Sequence, residues 1–160
     1  MNEVIALVEA LGQRNPLSSE DVAATLENRG WQPLPRRVTA PFPRAWHFGD
    51  RALSIQGDAP NTRVEISLRV WEYDEQAAAD SEDFAYLDGL WDQAETEARR
   101  LVDNLTADGS QFPGAPVTLE EDDADEFLWH AAWSLSGRRL IVGSKQDDTD
   151  LPVRVVAVIT

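Results

Sequence analysis

The chain has 160 residues, 42% of them hydrophobic, enough for one domain whose folding removes roughly 70% of the chain's surface from water. Fourteen Lys and Arg stand against 29 Asp and Glu, a net charge of −15 that argues against a nucleic-acid backbone or an anionic membrane surface as the main partner. Cysteine is absent, which removes disulfides, thiolate metal sites and a cysteine nucleophile, and fits a reducing cytoplasm.

Met1 to Leu7 has the wrong sign and length for a secretory signal, and no run reaches the ~18 apolar residues of a membrane span. The helical spacing of Val4, Leu7, Val8 and Leu11 predicts a first helix, closed by Gly12 and Asn15-Pro16. A second helix is expected from Ser18, a capping residue with Asp21 at the third helical position, while Leu17 before the cap can staple onto Val22. Gly30 should end it in a left-handed conformation, with Trp31 folding back on Leu26 as a structural anchor. Residues 1–31 thus read as an N-terminal helix pair. From Gln32 to Arg44, Pro33, Pro35, Pro41 and Pro43 predict a loop or an extended edge.

A first β unit is expected over 45–71. Trp46 and Phe48 flank His47, Leu53 and Ile55 flank Ser54, and Val64, Ile66, Leu68 and Val70 alternate with polar residues. The strongest periodic signal follows in 81–108, where Phe84, Leu87, Trp91, Ala94, Ala98, Leu101 and Leu105 form the stripe of one long helix suited to lie across a sheet. Gly109 to Pro116 breaks that helix. A second β unit occupies 127–160, with Phe127, Trp129, Ala131, Trp133 and Leu135 expected on one face and Ser144-Lys145 in a turn.

The two β units echo each other. Trp46, Leu53 and Ile55 recur 87 residues later as Trp133, Leu140 and Val142, and Arg63-Val64 and Arg154-Val155 each lead a later apolar strand. The expected fold is therefore a single α+β domain over 1–160: an antiparallel sheet of two β units separated by one long helix, with helices packed on one face.

No nucleophile elbow, S-x-x-K arrangement or glycine-rich phosphate cradle occurs. His47 and His130 lack metal-ligand spacing, and each should project from the sheet face opposite its neighbouring Trp. The chain reads as a non-enzyme with no cofactor and no metal; a small hydrolase using either histidine is a minor alternative. Acid is abundant but unevenly placed. Residues 1–70 hold eight basic and eight acidic residues, and residues 71–160 hold six and 21, so the whole imbalance lies in the second part. Arg29, Arg36, Arg37, Arg44 and Arg51 make the proline-rich connector locally positive. Six acids lie in Glu120 to Glu126 and three in Asp147 to Asp150. We expect these acidic loops, through Glu121, Asp122, Asp123, Asp125, Asp147, Asp148 and Asp150, to steer and dock a basic protein partner, with Trp71 or Tyr73 as a desolvated aromatic anchor.

The opening helix pair closed at Gly30-Trp31, the Trp46-x-Phe48 strand start, the turn at Phe112-Pro113-Gly114 and the terminal unit from Trp133 to Ile159 resemble small actinobacterial domains regarded as immunity proteins of secreted polymorphic toxins. The resemblance implies a cytoplasmic, non-enzymatic inhibitor that binds a cognate toxin and occludes its active site. The alternative in the same range of size and charge is an acidic secretion chaperone for an effector protein. Its usual terminal helix is at odds with the strand pattern of Val153 to Ile159.

Overall fold

The computed structural model describes residues 2–35, 41–82, 84–107 and 113–160. Arg36, Arg37, the end of the expected long helix at Asp108, the breaker Gly109 and the marker Phe112 lie outside the described residues. Helix α1 (Asn2–Gly12) buries Val4, Leu7, Val8 and Leu11, the four positions that its periodicity predicts. Helix α2 (Ser19–Asn28) begins at Ser18, whose Oγ accepts the Asp21 N–H at 3.0 Å and whose hydroxyl donates to the Asp21 carboxylate at 2.8 Å. Such a cap is worth about 1 kcal/mol. Leu17 and Val22 are both fully buried, as the staple requires. At the other end Gly30 takes φ +79°, the Trp31 N–H donates to the Leu26 carbonyl and the Gly30 N–H to the Glu27 carbonyl, so the buried Trp31 closes a Schellman-type cap.

Seven strands form one antiparallel sheet: β1 (Gln32–Pro33), β2 (Ala45–Phe48), β3 (Arg51–Gln56), β4 (Arg63–Trp71), β5 (Trp129–Leu135), β6 (Arg138–Lys145) and β7 (Val153–Ile159), in the spatial order β1-β2-β3-β4-β7-β6-β5. The proline-rich connector thus supplies the short edge strand β1, where proline's missing N–H costs least. Two three-strand meanders, β2-β3-β4 and β5-β6-β7, meet through β4 and β7. The sequence echo has a structural counterpart: Trp46 pairs with Leu53 and Trp133 pairs with Leu140. At the junction Val64 pairs with Ile159 and Ile66 with Ala157, a register that maps onto itself when the two meanders are exchanged. In the third strand of each unit the equivalence slips by two residues. Val64 lies opposite Ile55, whereas Ala157, not Val155, lies opposite Val142.

One face of the sheet carries the helices. Trp46, Leu53, Ile55, Val64, Ile66, Trp133, Leu140, Val142 and Ile159 form the main core with α1 and α2. Helix α4 (Ala85–Thr106) lies across β5, β6 and β7 and buries Leu87, Leu90, Ala94, Ala98 and Leu101, against Val153 and Val155 among others. Its stripe differs from the expected one at the start. Phe84 precedes the helix with φ 23° and is 75% exposed, Leu90 is buried, and Trp91 is only half-buried because its indole N–H reaches out to the Gln146 side chain at 2.8 Å. The short helix α3 (Glu75–Ala79), capped by Asp74, precedes it.

The other face is half covered, which the expectation of helices on one face did not include. Residues 115–128, with the short helix α5 (Glu121–Ala124), fold over β5–β7 and bury Leu119 and Phe127 against Ala132, Ile141, Val156 and Val158. Phe127 is therefore on the face opposite Trp133, because it lies before β5 begins and is not held to the strand's alternation. Gly143 makes room for it: a Cβ there would lie 2.7 Å from the Phe127 ring and 2.6 Å from the Trp129 carbonyl oxygen. Over β1–β4 this second face carries small and polar residues, including Ala45, His47, Ala52, Ser54 and Ser67.

Candidate protein-binding surface

Charged residues that β4, β6 and β7 turn to the second face meet around Glu65. Glu65, 5% exposed, receives Arg154 at 2.9 Å, Lys145 at 3.4 Å and Arg63 at 3.6 Å. Lys145 is the chain's sole lysine, and it ends strand β6 in a buried position, not in the expected turn. Cross-strand pairing of Lys145 with Arg154 sets both cations side by side, and Asp147 just beyond closes on both, at 2.9 Å from the Lys145 ammonium. At the other end Arg63 also pairs with Glu126. The two arginines of the sequence echo thus converge on one carboxylate, and the resulting chain of ion pairs runs from Glu126 beside α5 to Asp147 in the β6–β7 loop.

Ion pairing sorts the acids that the sequence singled out. Asp123 is taken by Arg139 at 2.6 Å, and Asp147 by Lys145 and Arg154. Glu121, Asp122 and Asp125 are exposed on α5 and its C-terminal end, and Asp148 and Asp150 are exposed in the β6–β7 loop. None of these five has a cation within ion-pair distance among the described residues. The first acidic segment is a helix laid on the sheet, not a loop.

Burial pushes the Asp147 carboxyl up, but its bonds to Lys145 and Arg154 outweigh that and hold it below the ordinary 3.8. A carboxylate lowered in the folded state contributes stability above its unfolded pKa and loses it as pH falls through the folded value. Stability should therefore decline below about pH 3.8 in part through this group. The Asp147→Asn protein should lose up to about 1 kcal/mol at pH 7, since the side chain is half-exposed, and show a shallower acid-side decline. Denaturant midpoints measured from pH 6 to pH 2.5 check both.

The β6–β7 loop is braced from within. The Gln146 amide donates to the Leu151 carbonyl at 2.7 Å and to the Thr149 carbonyl at 3.3 Å while its oxygen holds the Trp91 indole. The Leu151 N–H donates to the Asp148 carbonyl at 3.0 Å. That bracing places Thr149 and Asp150 on the wall of a cleft of about 390 Å³ whose other walls include Tyr73, Phe84, Tyr86 and Leu87. Tyr73 and Tyr86 meet edge to face at 5.8 Å, and the Tyr86 hydroxyl accepts the Asp74 N–H at 3.0 Å, which fixes the ring pair. Tyr73 and Asp150, predicted separately as anchor and acid, are thus brought together.

Trp71 packs half-buried against the α4 cluster and borders a separate shallow cleft with Arg69, Asp92, Thr96 and Glu97. The position of this acidic, aromatic side had a sequence signal that the acid runs overshadowed. Residues 70–98 hold ten Asp and Glu and no Lys or Arg.

The histidines do not come together. His47 is on β2 and His130 on β5, five strand positions apart, about 24 Å at the usual spacing, and His130 packs on the Phe127 ring. Among the described residues no group of three or more His, Asp or Glu is placed to hold a metal ion, and no helix is long and apolar enough to cross a membrane. No family model matches the chain, and neither a curated protein nor a solved structure matches it.

Proposed function

We propose that this chain is a non-enzymatic protein-binding inhibitor of the immunity type, which neutralises a cognate secreted toxin in the cytoplasm of the producing cell. The observation that carries the reading is the braced β6–β7 loop, with Asp148 and Asp150, which have no ion-pair partner among the described residues, beside the Tyr73–Tyr86 cleft, whose described lining holds no cation. Unpaired surface acid attracts a basic protein at long range, and a preformed aromatic cleft supplies the desolvated contact that holds it. Glu121, Asp122 and Asp125 extend the same field over the second face. A preorganised cleft suits a folded partner. The secretion-chaperone alternative needs a surface for an extended client, and nothing comparable supports it among the described residues.

The experiment is affinity capture from the native cell, followed by an assay of the captured protein with and without the chain. The expected result is a folded partner whose toxic activity is lost at a 1:1 ratio. A partner that keeps its activity in the complex, or that binds only when unfolded, would overturn the proposal.

A further inference from the structure

We infer that the cleft between the start of α4 and the β6–β7 loop is a receptor for one arginine side chain presented by the partner. This deepens the protein-binding reading and rests on it. The cleft's walls combine two chemistries that favour the same guest. Aromatic rings at Tyr73, Tyr86 and Phe84 present π faces and edges, and a guanidinium stacks on such a face with favourable electrostatics. Asp150 on the opposite wall is exposed and without a cation among the described residues, so a carboxylate stands ready to take the guanidinium's N–H groups in a forked pair.

An apolar side chain would satisfy the rings but leave Asp150 facing it. An anion would be repelled by Asp150 and would find no cation in the described lining. A lysine would satisfy the charge but would not stack its planar face as arginine does. The same chain already makes such contacts elsewhere, with Arg99 4.6 Å over the Trp129 ring and Arg44 5.0 Å over Phe42. In the cleft, however, the aromatic and acidic partners are present and the cation is not supplied by the described residues. At about 390 Å³ the space admits a long side chain together with the adjoining backbone of a partner loop.

The test is a nuclear magnetic resonance titration of the full chain with acetyl-Gly-Arg-Gly-amide, and with the same peptide carrying citrulline, lysine or norleucine. Citrulline keeps the shape of arginine and removes its charge. The expected result is saturable shifts at Tyr73, Tyr86, Thr149 and Asp150 with the arginine peptide, weaker ones with lysine and none with citrulline or norleucine. The Asp150→Asn protein should bind the arginine peptide about fivefold more weakly, the worth of one exposed ion pair.

Equal shifts with citrulline, a preference for norleucine, or shifts centred on Glu121, Asp122 and Asp125 would overturn the arginine receptor. The failure of the two readings is distinguishable. If the peptide fails but association with the captured partner still slows on charge reversal of the surface, only the receptor falls; if association is also indifferent to that charge, the acidic-surface reading falls with it.

Discussion

Replacing Glu65 with alanine is expected to lower the unfolding free energy by about 3 kcal/mol, because the change leaves buried Lys145 and partly buried Arg154 with only the half-exposed Asp147 as partner. Lys145 and Arg154 both lean on Glu65, and Lys145 is itself only 7% exposed. Asp147 remains to hold them, so the loss should fall toward the lower end of what breaking a buried pair costs. The reciprocal change is milder. In the Lys145→Met protein Glu65 keeps Arg154 and Arg63, the methionine covers the same apolar stem, and the expected loss is about 1 kcal/mol. Urea denaturation at pH 7 compares the two. A Glu65→Ala protein as stable as the Lys145→Met protein would mean that the network does not hold the second face together.

That network is also where the reading of the sequence stopped short. Charged residues near strand ends look the same whether they begin a turn or finish a strand, and the turn expected at Ser144-Lys145 is in fact the end of β6. Long-range pairing decides such cases, and nothing local to Glu65 signals that Arg63, Lys145 and Arg154 converge on it. The caps were legible because their causes are local: Ser18 and Asp21 lie three residues apart, and Gly30-Trp31 meets Leu26 within one turn. Strand alternation was legible for β4 up to the irregularity between Ser67 and Arg69, where the register against β7 shifts. The phase of α4 was legible at Leu87 and from Ala94 onward but not at Phe84, which is exposed before the helix, nor between the adjacent Leu90 and Trp91, where Leu90 is buried and the Trp91 indole bonds to Gln146.

The acid runs were legible in the sequence, but not which of their carboxylates are ion-paired. Asp123 and Asp147 hold α5 and the β6–β7 loop to the sheet, whereas Glu121, Asp122, Asp125, Asp148 and Asp150 have no ion-pair partner among the described residues. Neighbouring carboxylates in each segment thus differ in being ion-paired to the sheet or not. Reversing the paired ones would disturb the fold as well as the field, which makes the unpaired ones the residues on which to test function.

The central claim is that unpaired acid around the β6–β7 loop drives encounter with a basic partner. Its most direct test is the association rate constant with the captured partner, measured by stopped flow from low to high ionic strength, for the native chain and for the Asp148→Lys/Asp150→Lys protein. Both positions are exposed, and the Asp148 carboxylate accepts the Thr149 N–H at 2.7 Å, so the double reversal should cost about 1 kcal/mol of stability at most, which leaves the chain folded for the measurement. The account predicts that association of the native chain falls steeply with salt, and that the double reversal slows it about tenfold or more at low ionic strength and flattens the salt dependence. An association rate and salt slope unchanged by the reversal would contradict it.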